Sequence, residues 1–168
     1  MAVMQLEEFF DYKNQLMKDI LTNPQIVKLL SDKGSPIDAA ELAYTQVFPY
    51  EYIPETVEHG DTFICFDVDI QKTLNKTYLS PTLYVWVFTH KSLLRMSEGG
   101  VLTDRLCSEI CKTINGSREY GLGELNLYSV KRFAPMTGYQ GKCMTFQAVD
   151  FNRQFDPNKY IPPNRKLR

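Results

Sequence analysis

The side chains most suited to chemistry are thiols, imidazoles and carboxylates, and they are few. The sequence contains Cys65, Cys107, Cys111, Cys143, His59, His90 and the aspartate pair Asp67 and Asp69. Nucleophilic catalysis needs a Ser or Cys that an adjacent base activates. The cysteines lie on apolar stripes, where burial raises the pKa of a thiol, and the sequence has no Gly-x-Ser-x-Gly motif. We therefore predict no catalytic residues, and reduced cysteines that pack as small apolar side chains.

The aspartate pair is the one candidate for a metal site. Asp67 and Asp69 are two residues apart in a predicted strand, so both carboxylates lie on the same face. Carboxylates bind divalent cations, but no spacing here fixes a third ligand. Solvated residues at a strand end are the simpler interpretation. The alternative of another class, a small metal- or Cys-dependent enzyme, would require the convergence of Asp67, Asp69, His59 and Cys65.

Sequence motifs for other cofactors are absent. Neither GxGxxG nor GxxxxGK[ST] occurs, although Gly99-Gly100 precedes a predicted helix. Cys107 and Cys111 form a single pair, whereas a structural zinc site needs two pairs of ligands. We expect neither a metal nor a cofactor.

Helical periodicity dominates the first 46 residues and one later segment. Apolar residues recur at three- and four-residue steps from Leu6 to Leu21, which predicts an amphipathic helix. Asn23-Pro24 predicts the cap and first turn of a short second helix, and Ser35-Pro36 repeats this signal before a third helix over 36–46. The alternative for the end of this segment is a strand, because Tyr44, Thr45, Val47 and Phe48 also suit one. The stripe from Leu102 to Ile114 predicts a strong helix, with Asp104, Glu109 and Lys112 on its exposed side.

Two β-hairpins account for the strands. Residues 61–71 and 82–90 alternate and are expected to pair antiparallel around the loop NKTYLSP. Both faces of 82–90 are apolar, so this strand should be central or covered on both sides. Residues 124–133 and 142–151 form the second hairpin around PMTGYQG. The cations Arg118, Lys131, Arg132 and Lys142 gather there and indicate a solvated, charged edge.

The predicted fold class is α+β, with an antiparallel or mixed sheet built from two β-hairpins and packed by an N-terminal helix and a central helix. One domain is expected over residues 1–151. It comprises a helical part at 1–46, a Pro-rich connection at 47–60 and a hairpin-helix-hairpin part at 61–151. Residues 152–168 form a separate Pro-rich C-terminal arm.

Length and composition exclude several classes of protein. The chain has 168 residues, 43% of them hydrophobic, which suits one domain with a core and is too apolar for a disordered protein. No run of about 18 apolar residues exists, so no membrane span is expected. The first residues carry acids where a signal peptide has a basic region, which predicts a soluble protein of intracellular origin.

Charge divides the chain in two. The formal net charge is −1, and such near-neutrality argues against a dedicated nucleic-acid-binding protein. Residues 152–168 contain five basic residues and one acidic residue, a net charge of +4, which leaves −5 for residues 1–151. Such an arm either frays or docks on an acidic partner.

The order of these segments resembles a known family. The runs FPYEYIPETVEHGDTFICFDVDI, SPTLYVWVFTH, GGVLTDRLCSEICKTINGS, LNLYSVKRFAP and KCMTFQAVDFN are similar to neck and tail proteins of tailed bacteriophages, most of all to the tail terminator (tail completion) group. The resemblance covers about residues 1–152 and lies in the order of elements. It implies a structural virion protein, assembled in the host cytoplasm, that forms a homo-oligomeric ring, commonly a hexamer.

Partners and surfaces follow from that resemblance. It implies that the ring caps the tail tube protein and meets the head connector, while genome DNA passes through the lumen without specific binding. Candidate interface residues are Tyr84, Trp86, Phe88, Phe155, Tyr160, Arg165 and Lys166. Candidate channel-facing carboxylates are Asp67, Asp69, Glu124 and Asp150. A head completion (connector) protein and a minor tail-tube protein are the alternatives within the same class.

Overall fold

The computed structural model describes residues 5–31, 38–55, 60–73, 78–120, 124–148 and 150–151. These residues form an α+β fold in which helices pack on one face of a mixed sheet, as predicted. The helices are α1 (Gln5–Thr22), α2 (Pro24–Leu30), α3 (Ala39–Leu42) and α4 (Leu102–Ile114). The strands are β1 (Val47–Phe48), β2 (Thr62–Thr73), β3 (Tyr78–His90), β4 (Asn126–Phe133), β5 (Tyr139–Gln147) and β6 (Asp150–Phe151).

The first two helices form as the sequence predicts. α1 buries Leu16, Met17 and Ile20 along one stripe. The side chain of Asn23 accepts hydrogen bonds from the backbone N–H groups of Gln25 and Ile26, and Pro24 opens α2. The cap thus satisfies two backbone donors that the first turn leaves unpaired.

The predicted third helix over 36–46 is wrong in its extent. Of its described residues, 38–46, only Ala39–Leu42 is helical, and Tyr44 then adopts a positive φ of 59°. Val47 and Phe48 pair in parallel with Ile64 and Cys65 of β2, which makes the sheet mixed. Pairing with the sheet therefore outweighs the weak helical pattern here.

The first hairpin is longer than predicted. β2 continues to Thr73, and β3 begins at Tyr78, within the predicted loop NKTYLSP, so that Pro81 lies within β3 opposite Ile70. The register shifts between Ile70 and Lys72, next to this proline. Pro lacks a backbone N–H and is tolerated in a sheet at such irregularities.

The second hairpin also differs at its ends. Tyr139, Gln140 and Gly141, predicted as turn, open β5, and the predicted strand over 142–151 is interrupted after Gln147. Asp150 and Phe151 instead pair with the start of β3 as β6. The strand order is β1-β2-β3-β5-β4, so β3 is internal, as predicted, and β4 is at an edge.

The main core lies between the helices and one face of the sheet. Strands β2, β3 and β5 contribute alternating residues to it, and α1, α2 and α4 cover them. The buried strand residues include Ile64, Phe66, Val68, Leu83, Val85, Val87, Met144 and Phe146. The period-2 patterns predicted for these strands are therefore confirmed.

Glu109 corrects the predicted exposed side of α4. Its exposed fraction is 7%, although Asp104 and Lys112 are exposed as predicted. The carboxylate lies 2.9 Å from Lys112 Nζ and 3.4 Å from Arg105 Nη2. These two cations, each one helical turn away, offset the cost of removing the Glu109 carboxylate from water.

No helix within the described residues is both long and apolar enough to cross a membrane.

Candidate assembly surfaces

The sheet face opposite the helices, here called the outer face, is arranged in rows across the strands. Residues that pair directly across a sheet lie on the same face. The rows are Phe63–Phe88–Gly141–Phe133, Cys65–Trp86–Cys143–Lys131, Asp67–Tyr84–Thr145–Ser129 and Asp69–Thr82–Gln147–Asn126. The rows run from an aromatic end to a polar and acidic end.

A second core closes the aromatic end of the outer face. This aromatic cluster contains Phe48, Phe63, Phe88 and Tyr139, with Tyr52 and Phe133 packed against it. The rings of Phe48 and Tyr52 stack with centroids 4.1 Å apart, so the predicted Pro-rich connection covers the sheet. Offset and tilted ring pairs of this kind add to the free energy of burial.

Phe88 is therefore removed from the predicted interface. Its side chain is fully buried within the chain, between Phe63 and Phe133. The alternation of β3 correctly placed it beside Tyr84 and Trp86, but a sequence pattern cannot show which part of a sheet face is covered.

Tyr84 and Trp86 lie next to the aromatic cluster and are half-buried. Their rings stack with centroids 5.7 Å apart. Tyr84 pairs directly with Asp67 on β2. One candidate channel residue thus lies against the candidate interface residues, on the same face. The other candidate interface residues, Phe155, Tyr160, Arg165 and Lys166, lie outside the described residues.

The candidate channel carboxylates gather at the acidic end of the sheet. Asp69 is exposed on β2, and Glu124 lies two residues before Asn126, which ends the same row. Asp150 joins this end through the pairing of β6 with β3, and its side chain lies outside the described part of the chain. The charge at this end is smaller than the sequence predicts, because two carboxylates are paired. Asp67 Oδ1 lies 2.5 Å from Lys13 Nζ, and Glu124 Oε2 lies 2.6 Å from Arg118 Nη2.

The edge strand β4 exposes apolar side chains that the sequence did not single out. Leu127, Tyr128 and Val130 have exposed fractions of 38%, 69% and 47%. Among the described residues, β4 pairs only with β5, so its outer backbone groups have no strand partner. The predicted solvated, charged edge is thus only partly right: Lys131 and Arg132 are exposed, but apolar residues separate them from the acidic end. The sequence feature that could have indicated these exposed apolar residues is their presence on both faces of the segment ELNLYSVKRF.

The opposite edge of the sheet is only partly covered. β1 pairs with β2 at Ile64 and Cys65, and no described strand continues this pairing along β2 from Phe66 onwards. This segment carries Asp69 and Asp67, whose carboxylate is paired with Lys13, and Lys72 follows them in β2. β4 carries Lys131 and Arg132 and exposes apolar residues, so the two open edges differ in their side chains.

Burial disfavours the reactive thiolate form at three of the cysteines. Burial raises the pKa of Cys65 and of Cys107 to about 12 and also raises the pKa of Cys143. All four thiols are free, as expected. Cys65 is enclosed by the aromatic cluster, and the predicted partner His59 lies outside the described residues. Within the described residues no group of three His, Cys, Asp or Glu side chains could hold a metal ion.

A groove of about 650 Å³ lies beside the aromatic cluster. Its walls include Tyr52, Ile53 and Phe63 and the carboxylates Glu51, Glu55 and Asp61. We refer to it as the acidic groove. No sequence pattern indicated it, because the carboxylates come from two segments that only the fold brings together.

Fold and surfaces together define an α+β protein with a single sheet, helices on one face, and an open edge strand that exposes apolar residues. Residues 23–148 match the YomW family, and the chain belongs to this family. The family consists of phage-associated gene products, so the chain is a phage-related protein. No curated protein matches it.

Proposed function

We propose that this phage-related chain is a structural protein of the virion neck, a tail terminator whose copies form a ring, commonly a hexamer. The ring would cap the tail tube protein and join it to the head connector. Genome DNA would pass through its lumen without specific binding. The observation that carries the proposal is the pair of partly open sheet edges, β4 and the segment of β2 from Phe66 onwards, which differ in their side chains.

Such edges suit a ring because each subunit must offer two different surfaces. In a heterologous ring, one surface of each copy contacts a different surface of the next. An edge strand can bind a neighbouring chain by continuing the sheet, with backbone hydrogen bonds for affinity. We assign β4 as one contact and the open part of β2 as the other. The exposed apolar residues of β4 and the different side chains of the two edges would favour that pairing over pairing of like edges.

We infer the orientation of the sheet within the ring from the positions of the candidate interface residues and the candidate channel-facing residues. Tyr84 and Trp86 share their face with Asp67, so this face cannot serve wholly as a channel wall. We assign the face to contacts with neighbouring subunits or the tail tube. We assign the acidic end of the sheet, with Asp69 and Glu124, to the lumen, where like charge would keep DNA from adhering.

The ring is tested by size-exclusion chromatography with light scattering. We expect the full chain to elute as a ring of about six subunits. A variant Y128K/V130K should shift toward monomer, because it places charges on the proposed contact while both positions are exposed in the single chain. The matched control K18E/K28E, at exposed helix positions, should leave the mass unchanged. A wild-type chain that remains monomeric over the accessible concentration range would refute the proposal.

The neck position requires a separate experiment. Cryo-electron microscopy of the intact particle should show the ring between the tail tube and the head connector, with the acidic end of the sheet toward the axis. Density within the connector itself would favour a head completion protein. Carboxylates at the outer rim would overturn the lumen assignment.

A further inference from the structure

We propose that the acidic groove binds the basic segment, residues 152–168, of a neighbouring copy of the chain. This inference rests on the proposed function only in requiring that copies lie side by side. It identifies both a binding site and its occupant.

The groove has the chemistry of a site for a cationic peptide. Glu51, Glu55 and Asp61 surround it, and none of these carboxylates forms an ion pair among the described residues. By contrast Asp67, whose carboxylate is also partly exposed, has a cation at 2.5 Å. Three carboxylates around one concave surface, without a cation from the described part of the chain, attract positive charge.

The groove also has an apolar surface that a peptide could cover. Phe63 is buried at its base, while Ile53 at its wall is 46% exposed. Tyr52 is half-buried and stacks on Phe48, so its ring is held in place. A fixed aromatic wall binds a side chain with little loss of its own conformational entropy.

The basic segment has the complementary composition. It carries a net charge of +4 and has Phe155, Tyr160 and Ile161 as apolar residues. Three prolines favour extended conformations, which lower the entropy lost when a peptide enters a groove. Both the charge and the apolar residues of the groove thus have partners in this segment.

Distance favours a neighbouring copy over the same chain. The last described residues, Asp150 and Phe151, pair with Tyr78 and Leu79 at one end of β3, whereas the groove residue Phe63 pairs with Phe88 near the other end. The nine residue steps from Leu79 to Phe88 span about 30 Å of strand. An extended segment would use roughly its first eight or nine residues to cover that distance. Phe155 falls well within that part and could not enter the groove of its own chain, so a groove that takes up both Phe155 and Tyr160 receives them from a neighbouring copy.

Photo-crosslinking of the full chain tests the site and the occupant together. Benzoylphenylalanine replaces Tyr160, and ¹⁵N-labelled and unlabelled copies are mixed before assembly. We expect mass spectrometry to find crosslinks to residues 50–63 in peptides that join a labelled chain to an unlabelled one. Crosslinks confined to single chains, or to other surfaces, would overturn the inference.

Variants that reverse the charges of the groove and of the basic segment test the electrostatic attraction between them. Both E51K/E55K and R165E/K166E should lower the yield of interchain crosslinks about tenfold, since each replaces attraction by repulsion at two positions. Combining the two sets should restore most of the yield. The control E98K/E119K changes charge equally at exposed positions away from the groove and should have no effect. Failure of the combined variant to recover would contradict the assigned pairing.

A peptide experiment separates this inference from the ring. A fluorescent peptide with the sequence of residues 152–168 should bind the full chain and lose about tenfold in affinity for E51K/E55K. If light scattering shows a ring but neither peptide nor crosslinks reach the groove, the groove inference fails alone. If the chain is monomeric and the peptide still binds as expected, both the ring and the assignment to a neighbouring copy fail, and the groove is a site for the basic segment of its own chain.

Discussion

The packing of the aromatic cluster depends on the absence of a side chain at Gly141. It lies on the outer face between Phe88 and Phe133, whose ring centroids are 5.7 Å apart across it. A Cβ at this position would lie 2.5 Å from Phe88 Cα and would also overlap the carbonyl oxygen of Val87. The missing side chain is what lets the two rings meet across β5.

We therefore expect G141A to be strongly destabilising. The clash is with backbone on the central strand, which cannot move without disrupting its pairing, so the cost should exceed about 3 kcal/mol. Chemical denaturation with urea would measure it. As a control, G116A introduces a residue at a φ of +77° with no atoms within 4 Å, and should cost only about 1 kcal/mol. Equal losses in the two variants would contradict the packing explanation.

The buried thiols predict a dependence of stability on pH. Burial raises the pKa of Cys65 and of Cys107 from 9.0 to about 12. Above pH 9 the unfolded chain releases these protons and the folded chain retains them, so the free energy of unfolding should be constant below about pH 9 and fall above it. Cys65 and Cys107 should each add up to about one proton per molecule to the slope between pH 9 and 10, and burial also raises the pKa of Cys143, Tyr120 and Tyr139, which add to it. Denaturation at pH 8, 9 and 10 measures the slope. A C65A/C107A variant should show a smaller slope, and an unchanged slope would exclude these two thiols as contributors.

Among the secondary-structure elements, α2 is connected to α4 through its own cap. Asn23 accepts from two backbone N–H groups of α2 and donates through Nδ2 to Thr113 Oγ1 at 3.3 Å. The hydroxyl of Thr113 in turn donates to the carbonyl oxygen of Glu109. This chain of bonds holds a short helix of seven residues, which could not be stable alone, against α4.

N23A should lower the free energy of unfolding by about 1 kcal/mol, the usual cost of losing an N-cap. N23D retains the capping oxygen but loses the amide donor to Thr113, so it should cost much less. Urea denaturation of both variants separates the cap from the link to α4. If N23D were as unstable as N23A, the hydrogen bond to Thr113 would account for most of the lost stability, and the capping explanation would be wrong.

The strand elements show why the two predicted surfaces lie together. β2 and β3 pair in a register that sets Asp67 beside Tyr84 and Cys65 beside Trp86. A pattern within each strand predicts which residues share a face, but the register between strands is set by their pairing. Asp67 and Asp69 on β2, and Tyr84 and Trp86 on β3, therefore share a face within each strand as predicted, and only the sheet revealed that it is the same face.

Across the whole molecule, charge separation should control assembly. The net charge of −1 combines −5 on residues 1–151 with +4 on residues 152–168. The proposed contact between the groove and the basic segment joins surfaces of opposite charge. Salt screens such contacts over about 10 Å at 0.1 M and about 3 Å at 1 M.

We expect the concentration needed for half-assembly to rise about tenfold between 0.1 M and 1 M sodium chloride. Light scattering over a dilution series at both salt concentrations would measure this. The fold itself should be little affected, because its cores are apolar, and circular dichroism provides that control. Assembly that strengthens with salt would show that apolar contacts on β4 outweigh the charges.

Local sequence patterns were enough to predict the α+β class, the two hairpins, the faces of β2, β3 and β5, and the cap at Asn23. These features depend on periodicity and on local hydrogen bonding, which neighbouring residues in the chain define. Long-range packing was needed to show that Phe88 is enclosed, that Glu109 is buried, that Val47 joins the sheet and that Glu51 meets Asp61 at a groove. Each of these depends on segments that are distant in the chain, because burial and electrostatic environment are properties of what packs against a residue.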